Sequence, residues 1–308
     1  MLLPPAIVLT AGLGTRLAPI TQLVAKPAVP VGGRALVVRV LEWLSGHGVT
    51  DAILNLHHLP HTVTGIVGDG TACGLRVRYS WEPVILGSAG GPRLALSLLP
   101  GYTEPVLIVN GDTLTDLDLG ALQRAHADNV ADGALVTLGA IPNPRPDHYN
   151  GLEVDAVGRV VGVRPKGNAD GTWHFIGVQM AAPSVFADLP LGQPAETISG
   201  VYRDLITNRP GAVRVFRSNA TFLDVGTPAD YLDAVWTLAP APAHPGVCIE
   251  PGAGDDDVPE VLGPRARFDR CVVWRGGAVG ADAVLTRCVV LSDAVVPSGT
   301  VAVDRVFT

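Results

Sequence analysis

Short apolar runs alternate with amphipathic stretches from the N-terminus to about Ala239. Several runs are apolar on both faces, which is typical of strands in a sheet that helices cover on both sides. Between the runs, apolar side chains recur at helical spacing. The pattern predicts an α/β domain with a mostly parallel sheet. Its predicted strands are Ala6–Thr10, Ala52–His57, Arg76–Trp81, Pro105–Val109, Ala134–Ile141, Phe175–Ala182 and Val213–Phe216, and its predicted helices are Leu36–Leu44, Arg93–Leu99, Leu119–Ala127 and Pro228–Leu238.

Two segments depart from this alternation. Gly151–Val163 has two apolar stretches on either side of Gly158, which predicts a hairpin inserted over the sheet. After Ala239 the composition shifts to Pro, Ala and Gly, so residues 240–254 are predicted to form a semi-rigid linker.

The remaining residues, 255–308, contain a repeat. Arg270-Cys271-Val272-Val273 recurs 17 residues later as Arg287-Cys288-Val289-Val290. Apolar triplets at this spacing, separated by Gly and Asp, predict coils of a β-helix built from hexapeptide-like units. In that register, Cys271 and Cys288 stack on adjacent coils. A small antiparallel meander is the alternative.

Composition narrows the classes of function. The chain has 308 residues, a net charge of −7 and 17% charged residues, which disfavours both extensive disorder and nucleic-acid binding. We find no apolar run of membrane-spanning length and no basic start of a signal peptide. The four cysteines form no C-x-x-C pair, as expected for a cytoplasmic protein with reduced thiols.

The segment after the first predicted strand carries candidate chemistry. Leu9-Thr10-Ala11-Gly12-Leu13-Gly14-Thr15-Arg16-Leu17 joins a strand to a glycine-rich turn and a cation, and Lys26 follows. Glycines let backbone amides approach phosphate oxygens. The segment matches neither the Walker loop nor the dinucleotide fingerprint, because Leu17 stands where the latter has its third glycine. A tight turn with a surface arginine is the alternative interpretation.

The run from Ala11 to Thr21, A-G-L-G-T-R-L-A-P-I-T, resembles the A-G-x-G-T-R-L-x-P-L-T signature of the sugar-1-phosphate nucleotidyltransferases. Ala25-Lys26-Pro27 resembles the family's P-K-P, without its first proline. The resemblance implies a Rossmann-like nucleotidyltransferase domain with a mixed, mostly parallel sheet over residues 1–239. The tail would form a short left-handed β-helix-like domain. The implied reaction joins a nucleoside triphosphate to a sugar 1-phosphate and releases pyrophosphate.

The resemblance also implies roles for single residues. Arg16 would contact the β- and γ-phosphates, and Lys26 would hold the α-phosphate and the sugar phosphate. Glu82–Gly91 resembles the segment that lines the family's base pocket, with Ser88 in place of a threonine. The implied nucleotide-binding residues are Leu9, Ala11, Gly12, Gly14, Thr15, Glu82, Gly87 and Ser88.

Two aspartates are candidate Mg²⁺ ligands. Asp112 follows an apolar strand at the sheet edge where α/β proteins bind ligands, although Asn110-Gly111-Asp112 also suits a turn. Asp224 lies in F-L-D-V-G-T-P, which resembles the family's W-x-D-[IV]-G-T-P. Two carboxylates from distant parts of the chain suit a hard cation that bridges phosphates.

The sugar side matches the family less well. The resemblance implies contacts from Asn150, Gly151 and Gly177, but the family's E-K-P is absent. Val163-Arg164-Pro165-Lys166 replaces it, so either Arg164 or Lys166 would hold the sugar phosphate.

Several functions fit this pattern. Two candidates are a guanylyltransferase for mannose 1-phosphate and a uridylyltransferase for another sugar. Both are compatible with Glu82, whose carboxylate could accept a hydrogen bond from guanine or from uracil. A cytidylyltransferase for a non-sugar phosphate and a non-catalytic regulatory homologue are further alternatives. A nucleotide-binding dehydrogenase would need the fingerprint that this chain lacks. Because so few coils cannot bury a core alone, we expect a homo-oligomer.

Overall fold

The computed structural model describes residues 3–239, 242, 244–252 and 259–308. The chain divides into two compact units. The sheet unit comprises Met1–Gly12, Val40–His58 and Val67–Phe222, and the tail unit comprises Leu13–Arg39, Leu59–Ile66 and Leu223–Thr308. The glycine-rich loop therefore starts in the sheet unit and continues in the tail unit.

The secondary structure follows the predicted alternation. The α-helices are α1 (Leu36–Gly46), α2 (Pro60–Val67), α3 (Gly87–Ala95), α4 (Leu119–Ala131), α5 (Tyr202–Asn208) and α6 (Pro228–Leu238). The strands up to α6 are β1 (Ala6–Leu9), β2 (Pro30–Val31), β3 (Arg34–Ala35), β4 (Asp51–Leu56), β5 (Arg76–Trp81), β6 (Val106–Asn110), β7 (Thr113–Thr115), β8 (Val136–Pro142), β9 (Gly151–Val154), β10 (Val160–Arg164), β11 (Trp173–Ala181), β12 (Val213–Arg217) and β13 (Phe222–Asp224). The later strands are β14 (Val247–Glu250), β15 (Val261–Leu262), β16 (Arg267–Asp269), β17 (Cys271–Trp274), β18 (Ala278–Val279), β19 (Val284–Thr286), β20 (Val289–Val290), β21 (Val295–Val296), β22 (Val301–Val303) and β23 (Val306–Phe307).

Among the described residues, the main sheet has nine strands, with the path β10-β9-β11-β6-β1-β4-β5 and with β8 pairing to both β11 and β12. β1 pairs in parallel with β4 and β6, and β4 pairs in parallel with β5. β11 runs antiparallel to β6. The carboxyl ends of β1, β4, β5 and β6 therefore share one edge, where α/β sheets bind ligands. The predicted α/β fold with a mixed sheet is confirmed.

The main core explains why these strands are apolar on both faces. Ile7, Ile53, Ile108, Val136 and Phe186 belong to one cluster of buried side chains in the sheet unit. Each central strand has helices or loops on both of its sides, so alternation with polar residues is absent. The predicted antiparallel hairpin is confirmed as β9 and β10, but it extends the edge of the main sheet by pairing with β11 and does not lie over the sheet.

One predicted helix was displaced. α3 begins at Gly87 and ends at Ala95, whereas the apolar pattern predicted Arg93–Leu99. Its first turns are rich in glycine, which disfavours helices in isolation, so tertiary contacts override propensity here. The short helices α2 and α5 were not predicted.

The tail strands form three parallel sheets, in which every pair after β14 has the same register, whereas β14 pairs with β17 24 positions away (Val247 with Cys271). Val272 pairs with Val289, Val284 with Val301, and Val261 with Ala278, always 17 positions apart. This confirms the repeat, and the parallel pairing rules out the antiparallel meander. The tail is a short left-handed β-helix-like domain.

Cys271 and Cys288 mark the coil register. Cys288 donates its backbone N–H to Cys271 Sγ at 3.5 Å, and both side chains are buried as free thiols. They lie at equivalent positions on adjacent coils and pack as small apolar groups. Upstream, β14 lies within the predicted linker and pairs with β17 as a strand of the same β-helix; residues 240, 241, 243 and 253–258 lie outside the described part.

None of the helices in the described ranges combines the length and apolar character needed to cross a bilayer.

Candidate active site

The glycine-rich loop keeps most of its predicted phosphate-binding residues accessible. Gly12 and Thr15 are exposed, whereas Ala11 is buried. Gly14 has φ of 63°, and a Cβ there would lie 2.8 Å from Thr21 Cγ2. Thr21 also donates its hydroxyl to the Gly14 carbonyl at 3.0 Å. Position 14 therefore requires glycine, and the loop is held in one shape before any ligand binds.

Three of the predicted catalytic and metal-binding side chains lie together in the tail unit. Lys26 Nζ is 4.0 Å from Asp224 Oδ1, and the two side chains are only 11% and 17% exposed. A Cβ at Gly226 would lie 3.0 Å from Asp224 Oδ2 and 3.3 Å from Arg16 Nη1. Arg16 itself is exposed. Arg16 and Asp224 thus lie beside a backbone position that has no side chain, and Lys26 faces the Asp224 carboxylate.

Asp230 is a member of this cluster that the sequence did not reveal. Its Oδ2 would lie 3.3 Å from a Cβ at Gly226. Thr227 caps the N-terminus of α6 by accepting from the Asp230 N–H at 3.2 Å, and its hydroxyl donates to Asp230 Oδ2 at 2.7 Å. Thr227-Pro228-Ala229-Asp230 is a helix-start pattern with proline at the first position. The cap fixes the direction of the chain between Asp224 and α6.

Asp112 follows β6 in the sheet unit and is partly exposed. Gly111 before it donates its N–H to the Leu9 carbonyl at 2.9 Å. A Cβ at Gly111 would lie 2.6 Å from Thr10 Cγ2, so the backbone after β6 packs directly on the end of β1. This close approach places Asp112 at the carboxyl edge of the sheet, as predicted.

The candidate metal ligands have suitable chemistry for a hard divalent cation. In the tail unit, Asp224 and Asp230 offer carboxylate oxygens, which Mg²⁺ prefers, and in the sheet unit Asp112 offers the same kind of oxygen. No three His, Cys, Asp or Glu side chains in the described part of the chain form a preassembled metal group. Magnesium also keeps waters and takes substrate phosphates as ligands, so one or two carboxylates suffice. The predicted pair, Asp112 with Asp224, draws one residue from each unit and stays a prediction.

Glu82 lies in a buried hydrogen-bond network at the sheet edge. Its side chain is 0% exposed, and its two oxygens accept from Asn55 Nδ2 at 2.7 Å and from Leu86 N at 2.8 Å. Asn55 Oδ1 in turn accepts from Thr10 N at 2.6 Å. The network ties the ends of β1, β4 and β5 to the loop before α3. In this arrangement Glu82 stabilises the predicted base-binding loop through its hydrogen bond to Leu86. Its carboxylate oxygens are buried and are not accessible to a nucleotide base.

Gly87 and Ser88 are the first residues of α3, and both lie beside the carboxylate of Glu196, which the sequence did not indicate as a site residue. Gly87 has φ of 73°, and a Cβ there would lie 2.5 Å from Glu196 Oε1. Ser88 donates its hydroxyl to Glu196 Oε2, and Thr197 donates its N–H to Ser88 Oγ at 2.8 Å. The exposed Glu196 thus lies at the N-terminus of α3, where negative charge is favourable.

On the sugar side, the hairpin residues have distinct roles. Asn150 is exposed, and its Oδ1 accepts from Lys166 N at 2.9 Å. A Cβ at Gly151 would collide with the Thr172 side chain, so glycine is required there for packing. Gly177 has φ of 77° and packs on Asn110. Neither glycine needs a ligand to account for it.

Arg164 and Lys166 are no longer equivalent candidates. Arg164 forms an ion pair with Glu153 across the hairpin, with Nε 2.7 Å from Oε1. Lys166 is exposed at the end of β10. Both side chains are exposed, and which of them holds the sugar phosphate stays a prediction.

An aromatic cluster adjoins the sugar-side residues. The ring centroids of Tyr149 and His174 are 4.3 Å apart, with the two rings tilted by 30°. The Phe222 ring packs edge-on against His174, with 4.9 Å between centroids. Burial lowers the pKa of His174 to about 4, opposed by a hydrogen bond to the Asn150 backbone. His174 is therefore neutral at physiological pH and packs behind Asn150, with whose backbone it forms a hydrogen bond.

Comparisons with known proteins agree with this geometry. The family model described as Nucleotidyl transferase matches residues 5–239, more than two thirds of the chain. This chain belongs to the nucleotidyl transferase family. The resemblance of the sequence to sugar-1-phosphate nucleotidyltransferases is thereby confirmed. Enzymes of this family generally use a divalent metal ion.

Two curated relatives of this nucleotidyl transferase are informative. It is 29% identical to the mannose-1-phosphate guanylyltransferase of Mycobacterium tuberculosis, over 92% of this chain and 83% of that protein. It is 33% identical to the N-acetylmuramate alpha-1-phosphate uridylyltransferase of Neisseria meningitidis, over 72% of this chain and 93% of that protein.

Among solved structures, the fold resembles HddC from Yersinia pseudotuberculosis, crystallised with GMP-PN. The TM-score is 0.64 at 22% identity, covering 76% of this nucleotidyl transferase and 99% of that chain. This likeness supports the fold assignment of the first 239 residues.

Proposed function

We propose that this nucleotidyl transferase joins a nucleoside triphosphate to a sugar 1-phosphate and releases pyrophosphate. The observation that supports the proposal is the cluster centred on Asp224, which pairs with Lys26 on one side and lies with Arg16 beside Gly226 on the other. These side chains come from two motifs that are distant in sequence. A protein that had lost catalysis and kept only nucleotide-sugar binding would have no need to retain both cations beside the carboxylate.

The reaction is an in-line displacement at the α-phosphorus. An anionic oxygen of the sugar 1-phosphate forms the new P–O bond, and the bond between the α-phosphorus and the bridging oxygen breaks. The electron pair leaves with pyrophosphate. Because the nucleophile is already an anion, no general base is required, and catalysis rests on orientation and charge stabilisation.

Arg16 and Lys26 supply that stabilisation. Arg16 is exposed at the loop surface, where its guanidinium can engage the departing pyrophosphate in a bidentate manner. Lys26 is nearly buried, which reduces screening and strengthens its attraction for the α-phosphate. We assign Asp112 and Asp224 as Mg²⁺ ligands, and a bound Mg²⁺ would neutralise phosphate charge.

For the substrates, we propose GTP and mannose 1-phosphate. The support is the similarity to the mycobacterial guanylyltransferase, which extends over the tail as well as the catalytic segment. A uridylyl transfer is the second candidate, favoured by the higher identity to the meningococcal enzyme, although that similarity covers less of the chain. Asn150, Arg164 and Lys166 are all exposed on the sugar side, and we propose Lys166 as the group that holds the sugar phosphate because Arg164 is paired with Glu153.

A pyrophosphate-release assay tests the proposal. Four triphosphates are crossed with a panel of sugar 1-phosphates, with each substrate omitted in turn. We expect release to require Mg²⁺ and both substrates, and to be fastest with GTP and mannose 1-phosphate. A maximum with UTP would select the second candidate. Failure of every pair would refute the proposed function.

The assembly and the compartment belong to the same proposal. Val261, Val295 and Val301 are more than half exposed on the coils, which supports a homo-oligomer built through the tail. The four cysteines are free and buried, in keeping with a reducing cytoplasm. Neither a nucleic acid nor a membrane is proposed as a partner.

A further inference from the structure

A buried carboxylate of the tail holds a turn of the catalytic loop region. Glu250 ends β14 and is 1% exposed. Its Oε1 accepts from the Gly32 N–H at 2.7 Å, and its Oε2 accepts from the Gly33 N–H at 2.8 Å. All three residues belong to the tail unit. Burying a carboxylate is costly unless both oxygens find donors, so these two bonds must form for β14 to pack as it does.

The turn is shaped to receive that carboxylate. Gly32 and Gly33 join β2 to β3 in a two-residue hairpin, with φ of 61° and 81°. Positive φ at both central residues is the type I′ geometry, which glycine adopts without strain. The two consecutive N–H groups both reach Glu250, so the turn acts as a small anion-binding nest.

A second charged group completes the arrangement. Arg39 donates from Nε to the Val31 carbonyl at 2.7 Å and from Nη2 to the Gly32 carbonyl at 2.7 Å. Glu250 therefore accepts hydrogen bonds from the backbone N–H groups of the turn, and Arg39 donates hydrogen bonds to the carbonyl groups of Val31 and Gly32. A Cβ at Gly32 would also lie 2.9 Å from the Leu238 carbonyl at the end of α6, which leaves no room for a side chain at this position.

This turn is connected by a short, ordered path to Lys26. Lys26–Ala28 forms a 3-10 helix that leads through Val29 into β2. Val29 N–H donates to the Lys26 carbonyl at 3.1 Å, and the Val29 carbonyl accepts from Leu36 N at 3.0 Å. A shift of the hairpin is therefore transmitted to the Lys26 backbone. Lys26 has little freedom to compensate, since its side chain is nearly buried.

The same part of the tail also holds the segment that follows Asp224. Trp274 pairs with Glu250 in the register of β17 and β14. Its Nε1 donates to Tyr231 Oη at 2.8 Å, and both side chains are fully buried. Tyr231 lies on α6, whose cap residue Thr227 is three positions after Asp224. One coil of the tail thus contacts both chain segments that supply the cluster around Gly226.

From these contacts we infer that Glu250 is a positioning residue for Lys26, and that the tail is part of the catalytic machinery. Glu250 touches no substrate. It acts by fixing the hairpin of β2 and β3, from which the Lys26 segment takes its place beside Asp224. The expected effect on kcat rests on the proposed function. The expected effect on the structure of the hairpin rests on the hydrogen bonds alone.

The test compares Glu250→Ala and Glu250→Gln with Asp282→Asn. Asp282 is a matched control, since it is a tail carboxylate whose ion pair with Arg265 is exposed. We expect Glu250→Ala to lower kcat by roughly 10- to 100-fold, the scale for a catalytic group displaced by up to about 1 Å. The KM for the triphosphate should change less. Glu250→Gln keeps one acceptor and should recover part of the loss, whereas Asp282→Asn should match the parent protein.

Hydrogen exchange supplies a readout that does not depend on activity. Peptides covering residues 26–36 should exchange faster in Glu250→Ala than in the parent or in Asp282→Asn. Unchanged exchange would overturn the inference even if the protein had no transferase activity. Faster exchange with an unchanged kcat would show that Glu250 has only a structural role, and this result would also overturn the inference. If Glu250→Ala does not fold, the same two readouts on Glu250→Gln decide.

Discussion

Lys26 Nζ lies 4.0 Å from Asp224 Oδ1, although one residue follows the glycine-rich loop and the other precedes the last helix of the catalytic segment. The pair is largely shielded from water, which strengthens its electrostatic interaction. It joins a candidate phosphate-binding cation to a candidate metal ligand. A substrate phosphate and a cation that entered together would each find an oppositely charged partner in place.

The aspartates provide the first test. Asp112→Asn should reduce Mg²⁺-dependent turnover by at least about 10²-fold, since a metal ligand is lost. Its melting temperature should stay within a few degrees of the parent's, because Asp112 is partly exposed. Asp224→Asn should lose turnover similarly and also lose stability, since Lys26 is left unpaired. Asp128→Asn on the exposed face of α4 is the control. Near-normal turnover in either variant would remove that residue from the metal site.

Arg16→Ala should lower kcat by about 10²–10³, the loss expected for one transition-state charge stabiliser. The triphosphate KM should rise less, because the contact strengthens only as pyrophosphate charge develops. Steady-state kinetics with Arg203→Ala as an exposed control measure both constants. A loss confined to KM would show that Arg16 binds the triphosphate without assisting catalysis.

The sugar side can be resolved by a pair of substitutions. Lys166→Ala should raise the acceptor KM by about tenfold or more, as for one charge-assisted hydrogen bond. Arg164→Ala should change it little, because Arg164 already pairs with Glu153. Initial rates over a range of sugar 1-phosphate concentrations give both values. The reverse ranking would assign the phosphate to Arg164.

Stability should fall in mild acid partly through His126. Burial lowers the pKa of this histidine from 6.5 to about 4. The unfolded chain therefore takes up a proton at higher pH than the folded one. The His126 contribution to stability is fully present above about pH 6.5 and is lost as pH falls towards 4, by up to about 3 kcal/mol. Between pH 7 and pH 4.5, the melting temperature of His126→Gln should depend less steeply on pH than that of the parent protein. The melting temperature of the control His61→Gln, at an exposed position, should show the same pH dependence as the parent. Equal slopes would contradict the assignment.

The tail should carry the oligomer contact. Val261, Ala278 and Val295 form a ladder on one outer face, and Val295 is 71% exposed. Val295→Lys should lower the mass measured by light scattering, and Ser298→Lys on the same coil should not. A monomeric parent protein would refute the homo-oligomer, and an unchanged mass in Val295→Lys would place the contact elsewhere.

The sequence predicted features that depend on local periodicity. The strands of the main sheet, the hairpin and the 17-residue register follow from apolar spacing, and Cys271 lies beside Cys288 as that spacing requires. The α3 helix was displaced because its first turns are glycine-rich and are stabilised by contacts with Glu196.

Contacts between distant residues left no such signal. Asp230 lay in a predicted helix start and Glu250 in the predicted linker, and only the folded chain brings them to Gly226 and to the Gly32-Gly33 turn. The Glu250 contacts lead us to expect that truncation after Pro240 displaces Lys26.

Transfer of label tests the proposed reaction most directly. GTP labelled at the α-phosphorus is incubated with mannose 1-phosphate, Mg²⁺ and the full chain, and the products are separated by anion exchange. We predict that all transferred label appears in the nucleotide sugar and none in pyrophosphate, only when the acceptor is present, and that Arg16→Ala slows the transfer. Label released as nucleoside monophosphate without acceptor, or no transfer with any triphosphate and sugar phosphate, would contradict a sugar-phosphate nucleotidyltransferase.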